Sequence, residues 1–265
     1  VNLVPLSERE MKKYLWRDIA YVPQSAMNAL DPVWRVGRQI EEVLVDRGGM
    51  DRKAARTRAE ELFAMVGLEA KRLGDYPHQF SGGMRQRASI ALGLALSPKL
   101  VIADEPVTAL DVVIQRQVLD TFAELQKQLN LSVILVTHDI SVVAYVCDYV
   151  VVMYAGKVVE SGPVAEVLDN PAHPYTMGLY NAFPELGGED RELSPIEGSP
   201  PDLLDPPKGC RFRARCPFAI EDCVSDPPEH QVSAGHLAHC HRALEAGALR
   251  ETAKKTATWV GVTSE

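Results

Sequence analysis

The sequence runs to 265 residues, 46% of them hydrophobic and 24% charged, with a formal charge of −8. That balance belongs to a globular protein, long enough for one large domain or one domain plus an appendage, and it excludes wholesale disorder. The acidic surplus argues against a general nucleic-acid coat, no apolar run approaches the ~18 residues that span a bilayer, and the N-terminus lacks the basic-then-apolar pattern of a signal peptide.

In chain order, residues 18–22 (Asp-Ile-Ala-Tyr-Val) read as a strand stopped by Pro23. Apolar residues at helical spacing predict helices over Val36–Arg47 and Arg52–Val66, the second with a core-facing stripe of Ala59, Leu62, Phe63 and Val66. A third helix is expected from Gly82 to Leu96, bounded by Ser97-Pro98. "KLVIADEP" and "LSVILVTHD" are continuous apolar runs ending in polar residues, and Ile114, Val118, Phe122 and Leu125 mark an amphipathic helix between them. Such strands alternating with helices predict an α/β fold with a parallel sheet covered on both faces, and ligands of such sheets sit at the carboxyl ends of the strands. "DYVVVMYAGKVVESG" predicts a hairpin turning at Ala155-Gly156, followed by a helix from Pro163 to Leu168. Residues 1–184 form the main domain on this reading. Residues 185–208, rich in Pro, Gly and acid, read as a linker, residues 209–245 as a cysteine-rich extension, and 246–265 as a ragged helical tail.

Three motifs carry chemistry. Asp104 and Glu105 end a buried strand, where one carboxylate can hold Mg²⁺ and the next can orient and polarise an attacking water; solvated acids at a strand end are the plainer alternative. Ser81-Gly82-Gly83 opens a helix, which exposes backbone N–H groups and points a positive helix end at an anion, although Ser81 also suits a simple helix cap. About twenty residues separate that loop from the Asp-Glu strand, and His138 ends the next strand, within reach of a terminal phosphate.

These residues resemble the nucleotide-binding domain of an ABC transporter. Phe80-Ser81-Gly82-Gly83-Met84 is similar to the signature loop, Leu100 to Glu105 to Walker B, Ala109-Leu110-Asp111 to the D-loop, His138 to the switch histidine, and Gln24 in "YVPQSAMNALDP" to the Q-loop. "QSAMNALDP" and "NPAHPYTMGLYNAFP" resemble the oligopeptide, dipeptide and nickel branch. The resemblance implies a P-loop NTPase-like fold with a helical subdomain, and an ATPase subunit that energises a peptide-type importer from the cytoplasmic face of the membrane. It further implies a second ABC ATPase subunit and membrane permease subunits as partners, with ATP and Mg²⁺ bound. On it, Glu105, His138 and Gln24 are catalytic, Asp104 and Gln24 face Mg²⁺, and Asp111 lies at the dimer contact. Ser81, Gly82, Gly83 and Met84 complete the partner's nucleotide site in trans. A groove formed by the Q-loop and the helices of residues 36–76 is expected to receive the membrane subunit.

The spacing G-x-x-x-x-G-K-[ST] occurs nowhere in the sequence; Gly156-Lys157 lies in the expected hairpin. The expectation is therefore an N-terminally truncated domain without Walker A, inactive as an ATPase by itself. The alternative function is a truncated subunit that only completes a partner's site through its signature loop. A nucleic-acid-acting ABC ATPase is a more distant reading, disfavoured by the charge and the lack of a basic, aromatic-rich patch.

Cys210, Cys216, Cys223 and Cys240 lie near the C-terminal end of a chain in which no export signal is read, so stable disulfides are not expected. They lack the short C-x₂₋₄-C pairs usual for zinc, and their irregular spacing suits an iron–sulfur cluster, with zinc and unligated thiols as alternatives. The family resemblance of this stretch implies a [4Fe–4S] cluster, whose negative charge Arg211, Arg213 and Arg215 would offset; a solvated basic loop is the other reading. Cys147 is expected to be a buried bystander.

Overall fold

A computed structural model describes residues 2–24, 29–182 and 195–261. Ser25 to Asn28 of the expected Q-loop, residues 185–194 of the expected linker and the last four residues lie outside the described residues. The chain divides into two compact units, Val1–His138 and Asp139–Glu265.

In the first unit, strands β1 (Ile19–Val22), β2 (Leu100–Asp104) and β3 (Ser132–Val136) form a parallel sheet in the order β1-β2-β3. The register pairs Ile19 with Leu100 and Asp104 with Val136. Parallel neighbours require long crossovers, and the helices supply them. After α1 (Glu8–Met11), helix α2 (Val36–Asp46) buries Val36, Ile40 and Leu44, and α3 (Arg52–Met65) buries Ala55, Ala59, Leu62 and Phe63, including three of the four stripe residues. The Asp51 carboxylate starts α3 by accepting hydrogen bonds from Lys53 N and Ala54 N, both at 2.9 Å. Helix α4 (Gly82–Gly93) ends three residues short of the expected Leu96. Helix α5 (Val112–Leu129) buries Val118, Leu119, Phe122 and Leu125 and stops at Asn130, which takes the left-handed conformation at φ +48°. The sheet is parallel as its strands suggest, but its coverage is uneven: on β3, Ile134 and Val136 are about half exposed, at 50% and 47%.

In the second unit, α6 (Ile140–Val146) precedes strands β4 (Tyr149–Tyr154) and β5 (Lys157–Pro163), a hairpin that turns at Ala155-Gly156. Both turn residues have positive φ, +47° and +79°, the conformation that matches strand twist in a two-residue turn. The cysteine-bearing segment adds β6 (Glu229–Ser233) and β7 (His236–His239), giving an antiparallel sheet in the order β4-β5-β7-β6. β5 meets β7 at Glu160–Ala238 and Ser161–Leu237. Helices α7 (Val164–Asp169), α8 (Pro174–Ala182) and α9 (Ala246–Ala253) complete the unit. Its core gathers Tyr154, Val159, Met177, Phe212, Phe218, Cys240, Leu249 and Trp259. The expected ragged tail is ordered through Trp259: that side chain is buried, meets Phe218 edge-on, and donates its indole N–H to Ala253 O at 2.8 Å. Among the described residues no helix is long and apolar enough to cross a membrane.

Candidate ATP-hydrolysis site

The carboxyl ends of β1 to β3 bring Tyr21, Gln24, Asp104, Glu105 and His138 together. Glu105 follows β2 directly and donates its backbone N–H to Val136 O at 2.8 Å, which ties the chain to β3 as it turns. Its φ is +43°, a left-handed conformation that costs a non-glycine residue about 1–3 kcal/mol and concentrates at functional sites. The turn presents the carboxylate to three donors. Gln24 Nε2 donates to Oε2 at 2.6 Å, Thr108 Oγ1 to the same oxygen at 3.0 Å, and His138 Nδ1 lies 2.9 Å from Oε1. The His138 hydrogen bond, then that of Thr108, and then that of Gln24 hold the Glu105 carboxyl below its usual range, against a partial opposing effect of burial. Glu105 keeps 21% of its side chain exposed and His138 73%, so the pair opens to solvent.

Asp104 is held differently. Tyr21 Oη donates to Asp104 Oδ2 at 2.8 Å, and that hydrogen bond to the carboxylate raises the phenol's pKa. The atoms presented suit magnesium, which takes oxygen donors, keeps several waters and binds through one or two carboxylates plus phosphates. Asp104 Oδ1 and the Gln24 amide oxygen are oxygen donors of that kind.

The Ser81 hydroxyl caps α4 by accepting from Met84 N at 3.3 Å. Ser81 and Gly82 are exposed, whereas Gly83 is buried, and a Cβ on Gly83 would fall 2.3 Å from Ile114 Cγ2. Asp111 Oδ1 accepts from Ile114 N at 3.0 Å and starts α5. The expected D-loop thus positions the isoleucine that packs on the expected signature glycine. Tyr21 and Thr108 escaped sequence reasoning. Thr108 stands three residues after Glu105, where a turn returns a hydroxyl to it, but Tyr21 gave no signal apart from the strand pairing.

The four cysteines of residues 209–245 are buried or packed against the core of the second unit. Among the described residues, no group of three or more Cys, His, Asp or Glu is placed to hold a metal ion, and this corrects the expected [4Fe–4S] cluster at Cys210, Cys216, Cys223 and Cys240. Cys223 and Cys240 are buried, and Cys210 and Cys216 pack against the apolar core. Burial pushes the Cys210 thiol up, the Cys216 thiol well above the ordinary range and the Cys240 thiol up to about 11. The arginines near them clamp backbone instead: Arg215 donates to Glu197 O at 2.8 Å and Ile196 O at 2.9 Å, and Arg211 donates to Ala155 O. Cys147 is half-buried just beyond α6.

The strongest acid–histidine contact of this unit was invisible in the sequence. Glu160 and His236 are fully buried and 2.7 Å apart. Glu160 also accepts from Ala172 N at 2.6 Å and His173 N at 2.9 Å, which fixes the entry to α8.

Comparison with known proteins decides the family. A profile described as "ABC transporter" matches residues 3–108, and one described as "Oligopeptide/dipeptide transporter, C-terminal region" matches residues 159–223. The oligopeptide transport ATP-binding protein OppD of Bacillus subtilis is 49% identical over 240 residues, 89% of this chain and 67% of that protein. The dipeptide transport ATP-binding protein DppD of the same organism is 46% identical over 242 residues, 90% of this chain and 72% of that protein.

The chain belongs to the ABC transporter family of oligopeptide and dipeptide transport ATP-binding proteins.

Solved ABC structures agree with the fold. CbiO1 from Clostridium perfringens, part of the ABC transporter complex CbiONQ, gives a TM-score of 0.56 at 29% identity over 62% of this chain and 63% of that one. The ATP-binding cassette MJ0796, solved as a dimer in a post-hydrolysis state bound to ADP and Pi, gives 0.55 at 29% identity over 62% of this chain and 70% of that one. The ABC transporter match over residues 3–108 corrects the expectations of a truncated, Walker A-less ABC fold and of a chain inactive by itself.

Proposed function

We propose that Glu105 orients and polarises the attacking water in ATP hydrolysis, in a chain that is the ATP-binding and ATP-hydrolysing subunit of a peptide-class ABC importer, working as a dimer with a like subunit. The observation that carries this assignment is the set of three donors around one partly exposed carboxylate, Gln24, Thr108 and His138. An ionised carboxylate offers about four acceptor positions, so three such bonds leave one for a water. A carboxyl held low is a weak base, and positioning is its main contribution; phosphoryl transfer, with little covalent chemistry for the protein to do, depends chiefly on positioning and charge stabilisation.

His138 turns one ring nitrogen to Glu105 and exposes the rest of the ring, which suits contact with a terminal phosphate. Gln24 links the segment after β1 to the catalytic carboxylate. Asp104 and Gln24 would hold magnesium, which when bound neutralises charge on the phosphates. Ser81, Gly82, Gly83 and Met84 serve the partner's nucleotide at the N-terminus of α4, with Asp111 behind them. We assign the chain to the cytoplasmic face of the membrane, beside permease subunits that contact the region of Gln24, α2 and α3. Nucleic acid is not among its partners. We divide the chain into the ABC portion to residue 184, a linker over 185–208, the cysteine-bearing segment over 209–245 and the C-terminal residues 246–265.

The test is Ser81→Arg in this chain, assayed with a like subunit whose own residues are unchanged. Hydrolysis at the partner's nucleotide should fall at least tenfold while this chain melts within about 1 kcal/mol of the parent, the usual cost of a lost helix cap. Unchanged turnover would show that the loop does not serve that site.

A further inference from the structure

We propose that Tyr21 is a positioning residue for magnesium binding: by donating its phenolic hydrogen to Asp104, it fixes which oxygen of that carboxylate meets the cation. The proposal rests on the reading of Asp104 as the magnesium-side acid.

The sheet register creates the contact. Tyr21 pairs with Ile102, and Asp104 lies two residues further along β2, on the same face of the sheet. A diagonal neighbour at that offset is within reach of an aromatic side chain. The phenol closes the remaining gap, with Oη 2.8 Å from Oδ2. An O–H donor to an ionised carboxylate forms a strong, directional bond, and it holds the Asp104 side chain in one rotamer with Oδ1 turned to its other side.

Packing does not account for this tyrosine. The residue is 57% exposed, so little of the unit's core depends on it, and its polar tip engages the charge. Asp104 and Glu105 are adjacent, yet among the described residues each has its own side-chain donors: Tyr21 for Asp104, and Gln24, Thr108 and His138 for Glu105. Two neighbouring carboxylates with separate supports can carry separate tasks, one toward a cation and one toward water. Partners that orient a metal ligand are worth about 10- to 100-fold in metal affinity.

The experiment is Mn²⁺ titration of the chain followed by electron paramagnetic resonance, with a non-hydrolysable ATP analogue present, for the parent, Tyr21→Phe and Asp104→Asn. Melting and analogue binding in EDTA serve as controls. Tyr21→Phe should raise the Mn²⁺ concentration for half-occupancy about tenfold, with melting and metal-free analogue binding unchanged. In the complex with a like subunit, saturating Mg²⁺ should restore its turnover. If Asp104→Asn abolishes Mn²⁺ binding while Tyr21→Phe leaves the midpoint in place, the role of Tyr21 is refuted and that of Asp104 stands. If Asp104→Asn itself leaves the midpoint in place, the magnesium reading of Asp104 fails and the tyrosine's role falls with it.

Discussion

Each half of the molecule contains a glutamate against a histidine, Glu105–His138 at 2.9 Å and Glu160–His236 at 2.7 Å. The distances nearly coincide, but the surroundings do not. Glu105 stands at a left-handed turn beside the ends of three parallel strands and faces solvent, whereas Glu160 is sealed inside an antiparallel sheet and spends its second oxygen on a backbone N–H. Exposure thus separates chemistry from architecture where residue type and distance cannot. A carboxylate that must meet water and phosphate keeps an acceptor position open. One that only organises a fold has its oxygens engaged by the fold, and it is costly to disturb.

The largest effect that sharpens this contrast is on stability. Glu160→Gln replaces an oxygen acceptor by an amide NH₂ among donors from Ala172 N, His173 N and His236, so at least one donor must face another. Breaking a buried pair of this kind costs about 3–5 kcal/mol, measurable by denaturant unfolding of the second unit's signals. A loss below about 1 kcal/mol would break the structural reading of Glu160.

The next prediction concerns acid. Burial, followed by the nearby His239, pushes His173 down to about 3, so the folded protein keeps that ring neutral where an unfolded chain protonates it. The unfolded state therefore binds more protons below its pKa of ~6.5, and stability falls as the pH drops from there toward 3. By pH 4 the loss attributable to this residue is about 3 kcal/mol. Chemical denaturation of His173→Gln should show a shallower decline over that window than the parent, and equal slopes would remove His173 from the account.

The smallest effect lies in the catalytic half. Thr108→Val deletes one of three donors to Glu105 with almost no change of shape, at an exposed position where stability should stay within ±0.5 kcal/mol. The Glu105 carboxyl should rise toward its ordinary range. Turnover needs it ionised and fails as pH falls through its pKa, so the acid limb of the pH–rate profile should move to higher pH. A limb that stays in place would mean that Thr108 does not tune the carboxylate.

The two halves also differed in how much of them could be read beforehand. In the first unit, "KLVIADEP" and "LSVILVTHD" announce buried strands whose polar ends must emerge together, and parallel pairing then brings Gln24, Glu105 and His138 into contact. Local pattern and tertiary arrangement carry the same message there. The Tyr21–Asp104 bond depends on a register between strands 83 residues apart, which no local pattern encodes. The second unit depends still more on distant pairing. The hairpin at Ala155-Gly156 was legible from its turn, but its partner β7 lies beyond a Pro-rich stretch, and the Glu160–His236 contact spans 76 residues. The cysteines misled for a related reason. Thiols grouped in sequence suggest a ligand set, while the fold puts Cys240 in the core with Phe212, Phe218 and Trp259 and packs Cys210 and Cys216 against it as small apolar side chains. The packing of residues 246–259 was likewise hidden, since its anchors Leu249, Ala253 and Trp259 are too sparse in the sequence to announce a buried face.

The most direct test of the division between chemistry and architecture is ATP turnover of Glu105→Gln in the complex with a like subunit, measured beside ATP binding and thermal melting. The account predicts a fall in turnover of at least about a hundredfold, with ATP still bound and the melting temperature unchanged. Turnover close to the parent's in a folded, ATP-bound Glu105→Gln protein would contradict it.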